Sequence, residues 1–432
     1  MGLVGGCMQT QAEDFRQRRQ RLARLFPQPV VIFSGRPAPR NPPQTHPFRA
    51  SSHFLYFAGW NQPHLAVLLE DGQATLFYDR PSVEEAIWEG PGPDLDELRA
   101  RYGFDHIRPG AERPEAVVLD DQAPQDLLEA VIQLRLRHDT AARSQLEQAV
   151  DMTVRAHFQA MRATRPERRE FQILATLLVS VTQEGGATSF SPIVSRCGEV
   201  LHNPNYNGTL QRGDLLLVDF GAENREGWAG DLTRTFPVRS NFTPRQAEIY
   251  EVVLRAQKAA IKLCRPGQEY REVHRAACLA LTEGLVQLEL MRGDPAELVE
   301  RGAHALFFPH GIGHLLGLDV HDMEDLGDRA GYAPGRTRSQ QFGMNFLRLD
   351  RILEADMAVT VEPGFYWIPQ LLENPERLEP FRDCVNWQVV EAYREVRGLR
   401  IEDDLLIEES GPRLLSAALP KELQELEIVV NS

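Results

Sequence analysis

Three histidines lie close together in the segment FFPHGIGHLLGLDVHD, and an imidazole is both a common metal ligand and an acid–base group near neutral pH. They are His310, His314 and His321, all within twelve residues of the chain. Phenylalanine, leucine and glycine surround them, which indicates a buried site where glycine allows the backbone to approach closely. Because HGIGH differs from HExxH, the single-zinc helix motif does not apply.

Two aspartates occupy a predicted β-hairpin, LLLVDFGAENREGWAGDLTRTF. If this hairpin is centred on Arg225, Asp219 and Asp231 lie directly opposite each other, with their Cβ atoms about 4.5–5.5 Å apart. Like charges that face each other in an apolar ladder are destabilising. One of the two could instead be solvated at a strand edge. Asp219, however, follows LLLV, a run typical of a buried strand, so we expect cations between the two carboxylates.

Two glutamates occupy similar settings. Glu362 ends the predicted strand MAVTVEPG, and Glu402 lies inside the predicted strand GLRIEDDLLI. Strand alternation would place Arg400, Glu402 and Asp404 on one face of that strand. Each acid taken alone has an ordinary explanation as a solvated strand residue. That explanation weakens when four such acids occur in a chain with the histidine segment.

The candidate ligands balance the charge of two divalent cations. Asp219, Asp231, Glu362 and Glu402 supply four negative charges, and His314 supplies a neutral nitrogen. A ligand set dominated by oxygen favours Mn²⁺, Mg²⁺, Co²⁺ or Fe²⁺ over metals that prefer thiolates. Two such ions about 3.5–4 Å apart generate a bridging hydroxide near neutral pH and stabilise a tetrahedral intermediate. The remaining histidines could then orient the substrate or donate to an oxyanion.

Two domains of mixed helices and strands must position these residues. The hydrophobic pattern predicts an α/β domain over residues 1–135, a linker helix over 136–164 and an α+β domain over 165–432. In the first domain, helices are predicted over 15–30, 82–88 and 94–102, and apolar strands at VVIF, 54–60, 64–72 and 74–79. In the second, helices are predicted near 170–185, 243–263, 269–289 and 295–303, and strands at 214–221, 227–238, 356–368 and 398–408.

Composition excludes several classes of protein. A net charge of −15 over 432 residues disfavours nucleic acid as a partner. No apolar run reaches the ~18 residues that a membrane span needs, and the first 15 residues lack the pattern of a signal peptide. Five widely spaced cysteines are neither a disulfide framework nor a zinc-finger pattern. We therefore expect a cytoplasmic protein with no membrane partner.

These motifs resemble those of the proline-specific pita-bread metallopeptidases, the Xaa-Pro aminopeptidases (aminopeptidase P) and the prolidases. The aspartate hairpin, PHGIGHLLGLDVHD, TVEPGFY and GLRIEDD match that family's motifs in order and in approximate spacing, and the match covers most of the chain. The resemblance implies a pita-bread α+β catalytic domain after a smaller N-terminal domain. It also implies two divalent ions, with Mn²⁺ expected ahead of Co²⁺, Zn²⁺, Fe²⁺ or Mg²⁺.

The resemblance also implies a role for each metal ligand. Asp219 would chelate one ion, whereas Asp231 and Glu402 would bridge both. His314 and Glu362 would complete the other ion. Glu362 would also be the general base for the bridging water.

Further residues match positions that contact the substrate or support the ligands. His202 matches a histidine of the substrate site, His310 one that lines the proline pocket, and His321 one that bonds the substrate near the scissile bond. Tyr366 and Arg400 match residues that support the ligands. Phe308 and Tyr366 could add to the proline pocket.

The N-terminal domain supports the same family. FRASSHFLYFAGW resembles a motif of the aminopeptidase P and prolidase N-terminal domain. Trp88 resembles a tryptophan that reaches the active site of a neighbouring subunit, although a helical tryptophan is more often part of a core. We expect a homo-oligomer, a dimer or a tetramer.

Four functions remain open from the sequence. We favour an Xaa-Pro aminopeptidase, which releases the residue before proline from peptides with proline at the second position. A prolidase would cleave dipeptides only, and FLRLDRILE resembles prolidase, where an arginine at the position of Arg348 grips the dipeptide carboxylate. A non-catalytic peptide-binding module and a metal-free enzyme for guanidino compounds are both disfavoured, because all five ligand positions are filled.

Overall fold

The computed structural model describes residues 2–432, with side chains from Gln11 onward, so Cys7, one of the five cysteines, lies outside the described side chains. The chain divides into two compact units, Met1–Ala141 and Ala142–Ser432. The helix Thr140–Ala163 covers most of the segment predicted as a linker, and all but its first two residues belong to the second unit.

The first unit is a five-stranded sheet with helices, in the order β6-β5-β4-β1-β7. Its helices are α1 (Gly2–Leu25), α2 (Ser52–Ala58), α3 (Val83–Glu89), α4 (Leu95–Tyr102) and α5 (Gln125–Leu136). Its strands are β1 (Val30–Phe33), β2 (Pro39–Asn41), β3 (Gln44–Thr45), β4 (Ala66–Glu70), β5 (Gln73–Phe77), β6 (His106–Arg108) and β7 (Val117–Val118), with a 3₁₀ turn at Gly110–Glu112.

The strand predicted over residues 54–60 is wrong, because this segment forms helix α2. The Ser51 hydroxyl accepts a hydrogen bond from the backbone N–H of Phe54 and caps the helix, and Gly59 ends it with a φ of 75°. Every residue from His53 to Ala58 is buried. A short apolar run buried on all sides carries no periodicity, so its pattern cannot distinguish a strand from a helix.

The second unit mixes helices with small antiparallel sheets. Its helices are α6 (Thr140–Ala163), α7 (Glu170–Gln183), α8 (Pro244–Leu263), α9 (Tyr270–Gln287), α10 (Pro295–Glu300), α11 (Asp328–Gly331), α12 (Pro369–Leu372), α13 (Pro375–Leu378), α14 (Trp387–Ala392) and α15 (Leu423–Asn431). Short 3₁₀ turns lie at Ala303–Leu306, Glu324–Leu326, Glu379–Phe381 and Arg394–Val396.

The strands of the second unit form two three-stranded sheets and two pairs. They are β8 (Ala187–Thr188), β9 (Ile193–Ser195), β10 (Leu215–Phe220), β11 (Ala222–Glu223), β12 (Leu232–Pro237), β13 (Ala358–Val361), β14 (Gly364–Tyr366), β15 (Gly398–Arg400), β16 (Asp403–Glu408) and β17 (Gly411–Leu414). The sheets have the orders β12-β10-β9 and β13-β16-β17, and the pairs are β11-β8 and β14-β15.

The register of the aspartate hairpin differs from the prediction. Asp219 pairs with Thr233, so the hairpin is centred one residue later than Arg225 and Asp231 lies two residues along from the position opposite Asp219. The chain leaves the hairpin at β11 to pair with β8, and the Asn224 side chain then organises the turn by accepting from two backbone N–H groups. The two aspartates are therefore diagonal neighbours on one face of the hairpin.

Thr233 links the aspartate hairpin to the segment of Glu402 in the second unit, because it also forms a β-bridge with Glu402. Asp219, Thr233 and Glu402 thus lie side by side across three strand segments. Glu402 itself lies between β15 and β16, so the single continuous strand predicted for GLRIEDDLLI is broken at this residue. Residues opposite each other in a sheet share a face, which brings both acids to one surface.

The histidine segment runs beside β13. The backbone N–H of Glu362 donates to Ile312 O at 2.8 Å, and the N–H of Thr360 donates to His314 O at 3.0 Å. Gly313 makes this approach possible, since a Cβ on it would lie 2.2 Å from the carbonyl oxygen of Thr360. The close backbone approach predicted for this segment is confirmed at this glycine.

Helix α6 supports the hairpin from behind. His157, which is fully buried, donates from Nε2 to the carbonyl oxygens of Leu232 at 3.0 Å and Phe220 at 3.4 Å. Both acceptors are direct neighbours of the aspartates in sequence.

Within residues 2–432, every helix is too short or too polar to span a bilayer.

Candidate metal centre and active site

The four predicted acids and His314 meet at one cavity of about 730 Å³ in the catalytic unit. Asp219 lies in β10, Asp231 precedes β12, Glu362 follows β13 and Glu402 precedes β16. A ligand atom of Asp231, one of His314 and one of Glu402 all lie within 4.8 Å of one another. Five residues spread over 184 positions of the chain are thus brought together by the strand pairings described above.

The ring of His314 is oriented as a metal ligand would be. Its Nδ1 donates to the carbonyl oxygen of Leu315 at 3.0 Å, which leaves a lone pair on Nε2. Nε2 lies 3.3 Å from Asp231 Oδ2 and 3.8 Å from Glu362 Oε1. A metal-binding histidine commonly fixes its tautomer through such a bond to a backbone carbonyl.

The four carboxylates carry more negative charge than the guanidinium of Arg400 balances. Burial, and next the charge of Asp219, raises the pKa of Asp231 well above its usual range, and burial with Asp231 does the same to the pKa of Glu402. Burial raises the pKa of Glu362 to about 7. Asp219 Oδ1 and Asp231 Oδ1 have no hydrogen-bond partner. Buried, unpartnered carboxylate oxygens beside an imidazole nitrogen fit hard divalent cations.

A chain of hydrogen bonds links Asp219 to His310. Arg400 donates from Nη2 to Asp219 Oδ2 and from Nη1 to the hydroxyl oxygen of Tyr366 at 2.9 Å. His310 donates from Nδ1 to Gly311 O at 2.8 Å, so its Nε2 accepts from the Tyr366 hydroxyl, also at 2.8 Å. Burial lowers the pKa of His310 to about 3, which keeps this ring neutral. These bonds fix both ring nitrogens of His310, whose side chain lines the cavity.

Three supporting residues are not among the predicted site residues. The Thr233 hydroxyl donates to Glu402 Oε2 at 2.8 Å and accepts from Arg400 Nε at 3.2 Å. Asp404 Oδ2 accepts from the backbone N–H of Asp231 at 2.9 Å. The hydroxyl of Thr360 accepts from the backbone N–H of His314 at 3.3 Å. Strand alternation could have found Thr233, which lies two residues after Asp231, but not its partners on distant strands.

A buried ion pair anchors the strand that follows Glu402. Arg234 Nη2 and Asp403 Oδ1 are 2.7 Å apart, and both side chains are fully buried. Lys421 and Ser416 complete the bonds to this carboxylate at 2.6 Å each. Although burial opposes it, the charges of Arg234 and Lys421 lower the pKa of Asp403. Asp403 therefore remains ionised as a structural anchor.

The remaining predicted histidines line the cavity. His202 and His321 are both part of its wall. The rings of His314 and His321 are 4.4 Å apart and nearly perpendicular, and His321 Nδ1 lies 3.4 Å from Glu324 Oε2. Burial is the main cause that lowers the pKa of both His202 and His321.

Arg348 also lines the cavity, but it already has a partner. Its Nη1 donates to Glu324 Oε2 at 2.7 Å, the same carboxylate that contacts His321.

The sequence did not predict the apolar part of the cavity wall. It comprises Phe190, Pro192, Ile193, Leu201, Pro204, Pro309, Val320 and Phe346.

Two predicted pocket residues lie behind the wall instead of in it. Tyr366 and Phe308 are fully buried and are absent from the cavity lining. Tyr366 acts on the cavity through its bonds to His310 and Arg400, and the Phe308 ring packs edge-on against His310 with centroids 4.8 Å apart.

Trp88, on α3 of the first unit, is 83% exposed, and its contact with a neighbouring subunit stays a prediction.

Comparison with known proteins gives two family matches. The model for metallopeptidase family M24 matches residues 144–409, and the model for the aminopeptidase P N-terminal domain matches residues 15–122. The Xaa-Pro aminopeptidase of Haemophilus influenzae is 32% identical and that of Escherichia coli is 30% identical. Each alignment covers 97% of this chain and 97% of the relative.

Solved structures give the same result. A variant of Escherichia coli aminopeptidase P in complex with substrate superposes with a TM-score of 0.80 at 28% identity, covering 97% of this chain and 98% of that chain. The aminopeptidase PepP of Pseudomonas aeruginosa has a TM-score of 0.80 at 27% identity, over the same shares. These matches confirm the predicted pita-bread α+β fold with a separate N-terminal domain. The chain therefore belongs to metallopeptidase family M24.

Proposed function

We propose that this chain is an Xaa-Pro aminopeptidase, which hydrolyses the bond between an N-terminal residue and proline. The observation that carries the proposal is the meeting of four carboxylates, three of them buried and that of Glu362 partly buried, with Nε2 of His314 in the lining of one cavity. Its relatives named Xaa-Pro aminopeptidase match 97% of the chain, N-terminal unit included. The substrate class is therefore peptides with proline at the second position.

Two divalent ions fit the acidic floor, and we propose Mn²⁺ because the ligand set is rich in oxygen. Asp219, Asp231, His314, Glu362 and Glu402 would hold them. When bound, the ions supply a water that ionises near neutral pH and positive charge for the oxyanion. Arg400 donates a hydrogen bond to Asp219, and the hydroxyl of Thr233 donates one to Glu402. These bonds would orient both carboxylates for the ions.

The side chains of the cavity would divide the remaining work. Glu362, with a pKa of about 7 when no cation is near, is suited to accept a proton at its carboxylate and return it to the leaving proline nitrogen. His321 and His202 can donate hydrogen bonds to the substrate from the cavity wall. The ring face of His310 would contact the proline ring, since both of its nitrogens are already bonded.

Arg348 distinguishes this function from a dipeptidase. A dipeptidase must neutralise the free carboxylate that follows proline, for which an arginine with two unpaired donors is suited. Here Glu324 already pairs with Arg348, so the guanidinium charge is compensated before substrate arrives. This pairing favours substrates whose chain continues beyond proline, and we propose that prolidase is the lesser activity.

The test compares Xaa-Pro-Yaa peptides with Xaa-Pro dipeptides. We expect efficient cleavage of the longer peptides and little change in that rate for Arg348→Ala. Arg338→Ala is the matched control, because Arg338 also lines the cavity and is paired with Asp328. The opposite result is cleavage of dipeptides alone, with a KM that rises tenfold or more in Arg348→Ala. A tenfold rise corresponds to about 1.4 kcal/mol of lost binding. That result would make the chain a prolidase.

The predictions of a cytoplasmic location, of a homo-oligomer and of no nucleic-acid partner remain part of this proposal. Size-exclusion chromatography with light scattering tests the oligomer directly. We expect a dimer or a tetramer.

A further inference from the structure

A second group of metal-ligating side chains lies outside the cavity. His274 and Cys278 are one turn apart on α9, and His304 lies in the 3₁₀ turn Ala303–Leu306. A ligand atom from each lies within 4.8 Å of the other two, and the three side chains are at most 1% exposed. We call these three residues the His274–Cys278–His304 cluster. None of them lines the catalytic cavity.

The hydrogen bonds of the cluster leave its nitrogen lone pairs without strong partners. His274 Nε2 lies 3.1 Å from Gly343 O, and a carbonyl can only accept, so Nε2 carries the proton and Nδ1 has the lone pair. Cys278 Sγ is 3.9 Å from that Nδ1, which is a weak contact, and 3.5 Å from Nε2, which already donates to Gly343. Neither nitrogen of His304 has any hydrogen-bond partner. Leaving a buried polar ring unbonded costs about 1–3 kcal/mol, so a ligand that bonds to these nitrogens would be stabilising.

The donor set selects a different class of ion from that of the catalytic centre. Two imidazoles and one thiol are the ligands preferred by Zn²⁺ and Cu⁺, not by Mn²⁺ or Mg²⁺. Burial lowers the pKa of His274 to about 4 and that of His304 to about 3, so both rings are neutral and able to ligate. Burial also raises the pKa of Cys278, so the thiol would release its proton only when an ion binds.

We propose that His274, Cys278 and His304 bind one thiolate-preferring ion, Zn²⁺ or Cu⁺, at a structural site separate from the catalytic centre. His304 precedes His310 by six residues, and the ring of Phe308 lies between the two sites, with centroids 5.7 Å from His274 and 4.8 Å from His310. A bound ion would link α9 to the 3₁₀ turn that precedes the histidine segment. It would thereby stabilise the position of the part of the cavity wall that contains His310.

Gly343 fits this arrangement. A Cβ on it would lie 2.9 Å from His304 Nε2 and 2.7 Å from Ala305 Cβ, and its φ of +89° also favours glycine. The backbone carbonyl that orients His274 can therefore lie close to the cluster. A bond from a ligating histidine to a backbone carbonyl is the usual support of a metal site.

Cobalt substitution separates the two sites by spectroscopy. The catalytic ligands are carboxylates and one imidazole, so a thiolate-to-cobalt charge-transfer band in the near ultraviolet can arise only at a cysteine site. Protein produced in medium supplemented with Co²⁺ should show this band, and added Zn²⁺ should remove it. Metal analysis of protein from unsupplemented medium should find one equivalent of zinc or copper beyond the catalytic ions, which also decides between the two.

Cysteine variants assign the band. Cys278→Ala should lose it together with one equivalent of metal, and should unfold at a lower temperature. Cys264→Ala is the matched control, since Cys264 is a buried thiol that follows α8 and lies outside the cluster, and it should behave as the parent protein in both the band and the metal content.

A folded Co²⁺-loaded protein without the band would overturn the proposal, as would an undiminished band in Cys278→Ala. If Cys278→Ala does not fold, the spectrum of the parent protein decides, with His304→Gln as the second variant. Because the band reports no catalysis, an inactive protein with the band would count against the proposed function alone.

Discussion

Asp231 is held in the fold through its backbone and is a proposed metal ligand through its side chain. Its backbone N–H is held by Asp404, and its side chain faces His314 with one oxygen unpartnered. Asp231→Asn keeps the size of the side chain but removes the charge, so we predict lower metal occupancy and at least a hundredfold lower kcat/KM. Mass-spectrometric metal analysis and peptide assays measure both. Asp121→Asn, an exposed aspartate of the first unit, should change neither; a fully metallated, active Asp231→Asn would refute a ligand role.

His321 is predicted to act on the substrate and not on the metal. It packs on His314 but offers its Nδ1 to Glu324. We predict that His321→Ala retains both catalytic ions and lowers kcat by roughly 10²–10³-fold, the effect of removing an oxyanion donor. Metal analysis beside steady-state kinetics separates the two effects. Loss of metal from a folded His321→Ala protein would show that the assignment of ligands is wrong.

Sequence motifs identified the acids and histidines of the cavity but not the bonds that hold them. The motif segments are local, so Asp219, His314 and Glu362 could be identified from short runs of sequence. The partnership of Thr233 with Glu402 spans 169 residues, and the tautomer of His314 depends on a carbonyl whose direction only the fold sets. Such contacts follow from strand register, which the sequence did not determine correctly for the hairpin.

At the scale of elements, the packing of the histidine segment on β13 determines whether the ligands meet. Gly313→Ala would place a methyl group 2.2 Å from Thr360 O, so the segment must move away from Glu362. Overpacking of this kind costs about 1–3 kcal/mol, and we predict weaker metal binding as well. Gly213→Ala, where a Cβ meets open space at a φ of +86°, should cost only the backbone strain of about 1–2 kcal/mol and leave metal affinity unchanged.

His157 on helix α6 should make the free energy of unfolding of the second unit depend on pH. Burial lowers the pKa of His157 to about 3, below the ~6.5 of an unfolded histidine. Its contribution to stability is therefore complete above about pH 6.5 and is lost as the pH falls from there towards 3. Denaturant unfolding at pH 7 and pH 5 should show a smaller loss of free energy in His157→Gln than in the parent. Equal losses would show that this histidine is not held neutral.

The helix α2 and the hairpin show why elements were harder to predict than residues. Residues 53–58 are buried on every side, so no period marks them as helical. Asp219 and Asp231 were placed directly opposite on the assumption of a symmetric turn, but β11 diverts the chain before the turn is reached. In both cases tertiary contacts chose between local structures that the pattern allows equally.

For the whole molecule, bound ions should add to the stability of the catalytic unit. Without them, Asp231 and Glu402, which are buried, and Glu362, which is partly buried, line one cavity with raised pKa values. Ions that bind only the folded state stabilise it by about 2.7 kcal/mol at a hundredfold excess over their Kd. We predict a lower melting temperature after chelation, restored by Mn²⁺. A melting temperature indifferent to verified metal removal would contradict this account.

The measurement that most directly tests the central claim is a titration of Mn²⁺ into verified metal-free protein, followed by cleavage of an Xaa-Pro-Yaa peptide. Mn²⁺ is the suitable probe because it prefers the oxygen ligands of the cavity over the thiol of the cluster. The account predicts no cleavage without metal, release of the free N-terminal residue when metal is added, and saturation at two equivalents per chain. Full activity of the metal-free protein, or cleavage at another bond, would contradict it.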